Sequence, residues 1–314
     1  MKNKILLTGA SGFVGGSLAQ ALLKQDKQVR IAVRSPLELP GAESVLVPAI
    51  DQQTLWSKPL KGIDTVIHCA GRAHIMNDLF DYPLPEYRRV NVAGTINLAS
   101  QAAAAGVKRF IFLSSVKVNG EQSLTGQPYS ETDVPMPQNP YAISKFEAEQ
   151  ALMELADKTD LQVVIIRPTL VYGPGVKANF FTMLRMVRLG MPLPFGSIDN
   201  KRSFIFLENL HSLIIRCIDH PKAANQLFLA SDGHDLSTTE LLRYCGHAMG
   251  VGVYLIPIPE SWCMLSASLL GQGEAIQRLC GTLQVDIGKA KKLLDWEPPI
   301  SVRVGLEKTV QGLI

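Results

Sequence analysis

Tyr141 and Lys145 stand four residues apart in the run Pro140-Tyr141-Ala142-Ile143-Ser144-Lys145. On a helix that spacing stacks the two side chains on one face, one turn from each other. Asn139 is a good N-cap and Pro140 a good first helical residue, which puts Tyr141 in the first turn. A free phenol ionises near a pKa of about 10, too high for efficient proton exchange at neutrality. A neighbouring ammonium and a helix N-terminus both favour the phenolate, so the sequence predicts a lowered pKa and a tyrosine able to give and take a proton. Taken alone, the spacing also fits an amphipathic helix with a tyrosine beside a surface lysine. The run Phe110-Ile111-Phe112-Leu113-Ser114-Ser115 supplies context, because it reads as a buried strand ending in two hydroxyls. Ser115 is the one expected to hold a carbonyl or hydroxyl oxygen beside Tyr141, with Ser114 as a cap on the strand end.

A second chemical signal lies at the chain start, in Thr8-Gly9-Ala10-Ser11-Gly12-Phe13-Val14-Gly15. It follows an apolar strand pattern and opens a helical one, the setting in which a glycine-rich turn carries a pyrophosphate on a helix N-terminus. Gly9 suits the tight turn, Gly12 lets backbone approach the phosphates, and Gly15 lets the helix press on the strand. Ser11, Phe13 and Val14 complete the expected dinucleotide contacts. A bound nicotinium ring would be a third positive influence on Tyr141. At the end of the second strand, where a carboxylate would hold the 2′-hydroxyl of NAD, the chain reads Val33-Arg34-Ser35. Arg34 suits a 2′-phosphate, which favours NADP(H) over NAD(H), although a solvated arginine or one stacked on adenine fits the same position.

Such a site needs a parallel sheet with its strand ends aligned. Strand patterns at Lys4–Thr8, Gln28–Val33, Thr65–His68, Arg109–Leu113 and Gln162–Arg167 alternate with helical patterns at Phe13–Lys24, Asn91–Ala105 and about Tyr141–Asp157. This order predicts an α/β fold, a Rossmann-like doubly wound parallel sheet with a smaller C-terminal lobe for substrate. After Pro168 glycines and prolines punctuate short helices and loops, while Leu227–Ala230 again reads as a strand. The expected division is therefore discontinuous. Residues 1–170 and about 204–234 form the dinucleotide-binding domain, and about 171–203 with 235–314 form the lobe.

The 314 residues, 46% hydrophobic and 19% charged, suffice for a folded core, and a net charge of +3 without a basic run gives no nucleic-acid footprint. The five cysteines, Cys69, Cys217, Cys245, Cys263 and Cys280, are widely spaced without a CxxC pair, and the six histidines show no HxxxH or HExxH spacing. Reduced thiols, no metal and a cytoplasmic location are the expectation. No segment reaches the length of a membrane span, and the apolar stretch Trp262–Leu270 is read as a buried helix of the lobe rather than a membrane-surface element.

The motifs together resemble the extended short-chain dehydrogenase/reductases, the NAD-dependent epimerase/dehydratase family. The matching pieces are TGASGFVGG from Thr8, VIHCAG from Val66, NVAGTINL from Asn91, FLSSVKVNG from Phe112, YAISK from Tyr141 and RPTLVYGPG from Arg167, in family order along most of the chain. The resemblance implies catalysis by Ser115, Tyr141 and Lys145. It implies a cofactor path over Cys69, Ala70 and Gly71, a structural or relay role for Asn91, and nicotinamide contacts at Pro168 and Leu170. It also implies a nucleoside diphosphate-sugar held near Asn179 and Phe195, with Arg202 on the diphosphate, and a homodimer built from the helices near Asn91–Ala105 and Tyr141–Asp157. The family's last phosphate-binding arginine has no clear counterpart; Arg278 is close but offset.

Within that resemblance, dehydratases carry Asp-Glu directly after the hydroxyl residue, whereas this chain has Val116-Lys117, so dehydration is rejected and Lys117 is expected to face the sugar. What remains is action at C4 of a UDP-hexose or UDP-N-acetylhexosamine. Arg34 tips the expectation to an NADPH-consuming 4-reductase of a UDP-4-keto-6-deoxy sugar in surface-polysaccharide synthesis. A UDP-glucose or UDP-N-acetylglucosamine 4-epimerase is the alternative, and a non-catalytic dinucleotide sensor a second one.

Overall fold

The computed structural model describes residues 3–73, 83–259, 262, 277 and 279–312. Seven strands form one parallel sheet: β1 (Lys4–Thr8), β2 (Gln28–Val33), β3 (Glu43–Leu46), β4 (Thr65–His68), β5 (Arg109–Leu113), β6 (Gln162–Pro168) and β9 (Gln226–Ala230). Their spatial order is β3-β2-β1-β4-β5-β6-β9, and every pairing is parallel. The order reverses between β1 and β4, and the crevice beyond the carboxyl ends at such a reversal is where doubly wound sheets bind their ligands.

The strands read as near-continuous apolar runs because both faces are covered. Ile5, Leu7, Ile111, Val164 and Ile166 pack on one side with α1 (Phe13–Lys24), α7 (Leu207–Asp219) and α9 (Gly288–Leu294). Leu6, Phe110, Phe112, Val163 and Ile165 pack on the other, under α4 (Thr95–Ala104) and α5 (Pro140–Lys158). Two short helices, α2 (Ser57–Leu60) and α3 (Leu84–Tyr87), flank that second side.

A third apolar core lies outside the sheet. It joins Tyr172 and Phe206 to residues of α6 (Ala178–Arg188), α8 (Thr238–Met249) and α10 (Val302–Gln311). A two-stranded sheet of β7 (Leu170–Tyr172) and β8 (Phe204–Phe206) borders it. The returning segment therefore splits: Phe204–Phe206 pairs with β7, and only from Leu207 does the chain run back under the large sheet and into β9.

Two further departures from the sequence reading have local causes. Strand β3 was not anticipated because only Val45 of its four residues is buried, so no alternation betrays it. The helix expected from Asn91 begins instead at Leu84 and passes through a π-helical turn, Arg88–Gly94, before α4. A π turn adds a residue to the helical circuit and often marks a functional position; here it carries Asn91.

Candidate active site

The glycine turn has the shape its residues predict. Gly9 adopts φ +80°, and a Cβ there would lie 2.7 Å from the Ala70 amide nitrogen. A Cβ on Gly15 would lie 2.3 Å from the Gly9 carbonyl oxygen, so the first helix can sit against the turn only with glycine at that position. The helix is N-capped by Gly12 with no side-chain cap and no acid in its first turn. Its leading N–H groups are left for an anion, and Gly12 brings no side chain between them and a phosphate. Ser11 and Gly12 are exposed, while Phe13 and Val14 are half-buried against the third core and the sheet core respectively. This cradle fits a dinucleotide.

The floor of the crevice is tied together by Thr8 and His68. Thr8 Oγ1 lies 2.7 Å from His68 Nδ1 and accepts a hydrogen bond from the Ala70 amide at 3.3 Å, and His68 Nε2 lies 3.0 Å from Thr95 Oγ1. His68 is fully buried, and desolvation first, then the nearby Lys145 charge, push its pKa down to about 3. Cys69 follows, half-buried, its thiol pushed up to about 12 by burial. Gly71 adjoins Lys145: a Cβ there would be 3.9 Å from Lys145 Nζ.

Asn91 is 1% exposed and fully engaged. Its Oδ1 accepts from the Arg72 amide at 2.7 Å, and its Nδ2 donates to the Arg72 carbonyl at 3.0 Å and to Ser144 Oγ at 2.9 Å. The side chain thus clamps the loop after β4 to α5. In this position Asn91 ties together the two segments that flank Gly71 and Lys145.

Above this floor Asn139 Oδ1 caps α5 by accepting from the Ala142 amide at 2.9 Å. The Tyr141 hydroxyl neighbours the Ser115 side chain, whose polar interaction favours the phenolate, and the ring meets Tyr87 edge-on with centroids 6.3 Å apart. Ser115 Oγ also accepts from the Lys117 amide at 3.2 Å. Lys145, 4% exposed, holds Nζ 3.9 Å above the Phe112 ring. The structure therefore brings together Ser115, Tyr141 and Lys145 beside the glycine turn.

Their electrostatics differ from the sequence expectation. Burial pushes the Tyr141 phenol up to about 12, opposed by the Ser115 side chain and reinforced by Tyr87 and Glu149. Burial pulls Lys145 down to about 7, opposed by Glu149 and Cys69. The predicted lowering of Tyr141 by Lys145 is not a property of the protein chain by itself. Desolvation is the largest influence on both groups.

Sequence reasoning missed the support beneath this trio. Ser114 donates to Glu149 Oε1, and Arg167 grips the same carboxylate through Nε at 3.0 and 3.2 Å and Nη2 at 2.5 Å. Arg167 Nη1 donates in turn to Asn119 Oδ1 at 2.9 Å. The signal was present, since Glu149 follows Lys145 by the same four residues that separate Lys145 from Tyr141.

The remaining predicted residues lie further out. Arg34 is exposed at the end of β2, with no hydrogen bond or ion pair among the described residues. Pro168 is buried at the end of β6, and Leu170 is 43% exposed in β7. Lys117 Nζ lies 3.4 Å from Glu121 Oε1, which also accepts from Asn139 Nδ2 at 2.5 Å. Arg202 donates from Nη1 to the Gly281 carbonyl at 2.7 Å, and desolvation brings its pKa down to about 10 against the pull of Glu121. Asn179 is exposed on α6. Phe195 is only 6% exposed, its ring packed in the third core, so the expected substrate contact by that side chain is corrected to a packing role. Arg278, Cys263 and most of Trp262–Leu270 lie outside the described residues. Among the described residues there is no cluster of side chains suited to a metal ion, and no helix long and apolar enough to cross a membrane.

The sequence profile of the NAD dependent epimerase/dehydratase family matches residues 5–229. A Vibrio cholerae protein named UDP-glucose 4-epimerase is 50% identical, covering 100% of this chain and 96% of its own length. Among solved structures, a UDP-glucuronic acid 4-epimerase from Bacillus cereus in complex with NAD superposes with TM-score 0.78 at 22% identity, over 99% of this chain and 98% of that one. A Pseudomonas aeruginosa protein, RMD, complexed with NADPH, gives 0.74 at 22% identity over 99% of each chain. These two likenesses establish a shared fold.

Proposed function

From its membership in the NAD-dependent epimerase/dehydratase family, to which the chain belongs, we propose that this enzyme works at C4 of a UDP-hexose or UDP-N-acetylhexosamine, with 4-epimerisation as its reaction. The observation that carries the reading is Tyr141 next to Ser115, with Lys145 one helical turn away and against Gly71, beside the glycine cradle. The 50% identical relative bears the epimerase name over its full length, which supports that reaction over others of the family.

A dinucleotide bound on the first turn of α1 would supply the hydride acceptor and donor. The residues of the chain do the rest. Ser115 orients the sugar O4 by hydrogen bonding, and Tyr141 takes the proton from O4 as the carbon is oxidised and returns it as the carbon is reduced. Lys145 adjoins Gly71 on the cofactor path and places a positive charge near the phenol. Arg202 is the side chain for the diphosphate and Lys117 for a polar sugar substituent. Val116 is buried and Lys117 is paired with Glu121, so the carboxylates that would expel water are absent from both positions. In this reading residues 1–170 and about 204–234 bind the dinucleotide, the remainder holds the nucleotide sugar, and α4 and α5 form the contact of a homodimer.

One observation favours a second reaction. Arg34 is exposed where a 2′-phosphate would sit, which suits NADPH and a 4-reductase of a UDP-4-keto-6-deoxy sugar. Purified enzyme that interconverts UDP-sugar epimers with no nicotinamide added supports the epimerase; stoichiometric consumption of NADPH by a UDP-4-keto sugar, without epimerisation, overturns it. Tyr141→Phe is expected to cut turnover by roughly 10²–10⁴-fold while fold and dinucleotide binding persist. Undiminished turnover in that variant defeats the catalytic assignment under either reaction.

A further inference from the structure

On α5 the spacing that stacks Lys145 over Tyr141 recurs once more, placing Glu149 one turn beyond Lys145 on the same face. Glu149 is 3% exposed and does not wander: Ser114 at the end of β5 and Arg167 on β6 hold both its oxygens, and Asn119 anchors Arg167 from behind. Lys145 is nearly as buried, rests on the Phe112 ring, and makes no ion pair among the described residues. An ammonium in such a place loses its hydration, and burial alone favours the neutral amine.

Among the described residues, the groups facing Lys145 leave one source of compensation. From β4 and the loop after it come His68, uncharged down to about pH 3, and Cys69, a thiol up to about pH 12. Tyr87 on α3 and Tyr141 on α5 are phenols. Arg88 and Arg89 of the π turn pair outward with Glu147 and Glu86. Arg167 lies across the carboxylate and Lys117 is paired with Glu121. Glu149 is the remaining negative charge.

We propose that Glu149, clamped by Arg167 and Ser114, is a positioning residue that favours the ammonium form of Lys145 against the pull of burial, and so acts on Tyr141 through the charge state of Lys145. Glu149 stands one helical turn from Lys145 while Arg167 reaches the carboxylate from β6, and the carboxylate favours the lysine's charged form despite that pairing. This inference rests on the assignment of Lys145 to the active site.

The test follows the Lys145 side chain by NMR in 13C-lysine-labelled full-length protein, with its resonance assigned by disappearance in Lys145→Met. The parent should titrate near 7. Glu149→Gln should move the midpoint to lower pH by about one pH unit or more, the alkaline limb of the turnover profile moving with it, and Glu149→Asp should restore most of both. Since Glu149→Gln strands a buried guanidinium, the double variant Glu149→Gln with Arg167→Met, which is neutral and packed, decides the matter if the single variant does not fold. A midpoint in either variant equal to the parent's overturns the proposal. Should Tyr141→Phe turn over normally, the catalytic reading itself fails; should Tyr141→Phe be inactive while the Lys145 midpoints coincide, only the role given to Glu149 fails.

Discussion

Acid should strip stability from this fold through His68, the residue that ties the floor of the crevice together. His68 is fully buried, packed between the Phe110 and Phe112 rings and bonded to Thr8 and Thr95 through its two nitrogens. Its pKa is about 3 in the fold against 6.5 unfolded, mainly through desolvation. Between these values the unfolded chain holds a proton that the folded chain refuses, so stability is full above 6.5 and declines as pH falls toward 3. Each pH unit in that window removes about 1.4 kcal/mol, which makes the loss roughly 2.7 kcal/mol at pH 4.5. His68→Leu removes the titration and strands two buried hydroxyls, at a cost of about 2–3 kcal/mol at pH 7.5. Urea unfolding of parent and variant at pH 7.5, 6.0 and 4.5 should therefore show a clear gap that nearly closes at the lowest pH. His211, brought down to about 4 by its own burial, declines equally in both proteins and drops out of the difference. Parallel curves would refute the reasoning, and with it the claim that the crevice floor is dry.

The cradle and the cofactor choice are testable in the same way. Gly15→Ala forces a methyl within 2.3 Å of the Gly9 carbonyl, a backbone atom that cannot step aside, so α1 must lift from the turn. Dinucleotide affinity by calorimetry should drop at least about tenfold with the melting transition still cooperative, and an unchanged affinity would mean the turn is not the phosphate site. Arg34→Glu should lower the NADP(H)-to-NAD(H) affinity ratio by about tenfold or more; an unaltered ratio removes the support Arg34 lends to a reductase.

The sheet was legible because buried parallel strands such as Gln162–Arg167 are apolar on both faces, and the helices between them because their caps and glycines stand at fixed places. The gathering of Ser115, Tyr141 and Lys145 was legible for a related reason, since both a four-residue spacing and a strand end are local facts. What escaped depends on partners distant in sequence. Strand β3 shows one buried residue and exists through its bonding to β2. The clamp of Asn91 reaches back 19 residues to the loop at Arg72 and forward 53 residues to Ser144 on α5. Phe195, which motif position assigned to substrate, is claimed by a core whose other members come from four separate stretches of chain.

The sign of the Tyr141 effect shows most sharply where spacing stops being informative. Four residues of helix guarantee that an ammonium stands near the phenol, but the field of that ammonium depends on whether it keeps its proton, and this is set by depth. Lys145 is buried and Tyr141 half-buried, and desolvation drives each toward its neutral form, the phenol upward and the amine downward. A charge from elsewhere must favour the ammonium, and among the described residues the carboxylate that does so is Glu149, held by an arginine that sits 18 residues further along the chain. In the proposed reaction, proton transfer at Tyr141 would thus depend on the sheet as well as on its own helix, through the strand that carries Arg167.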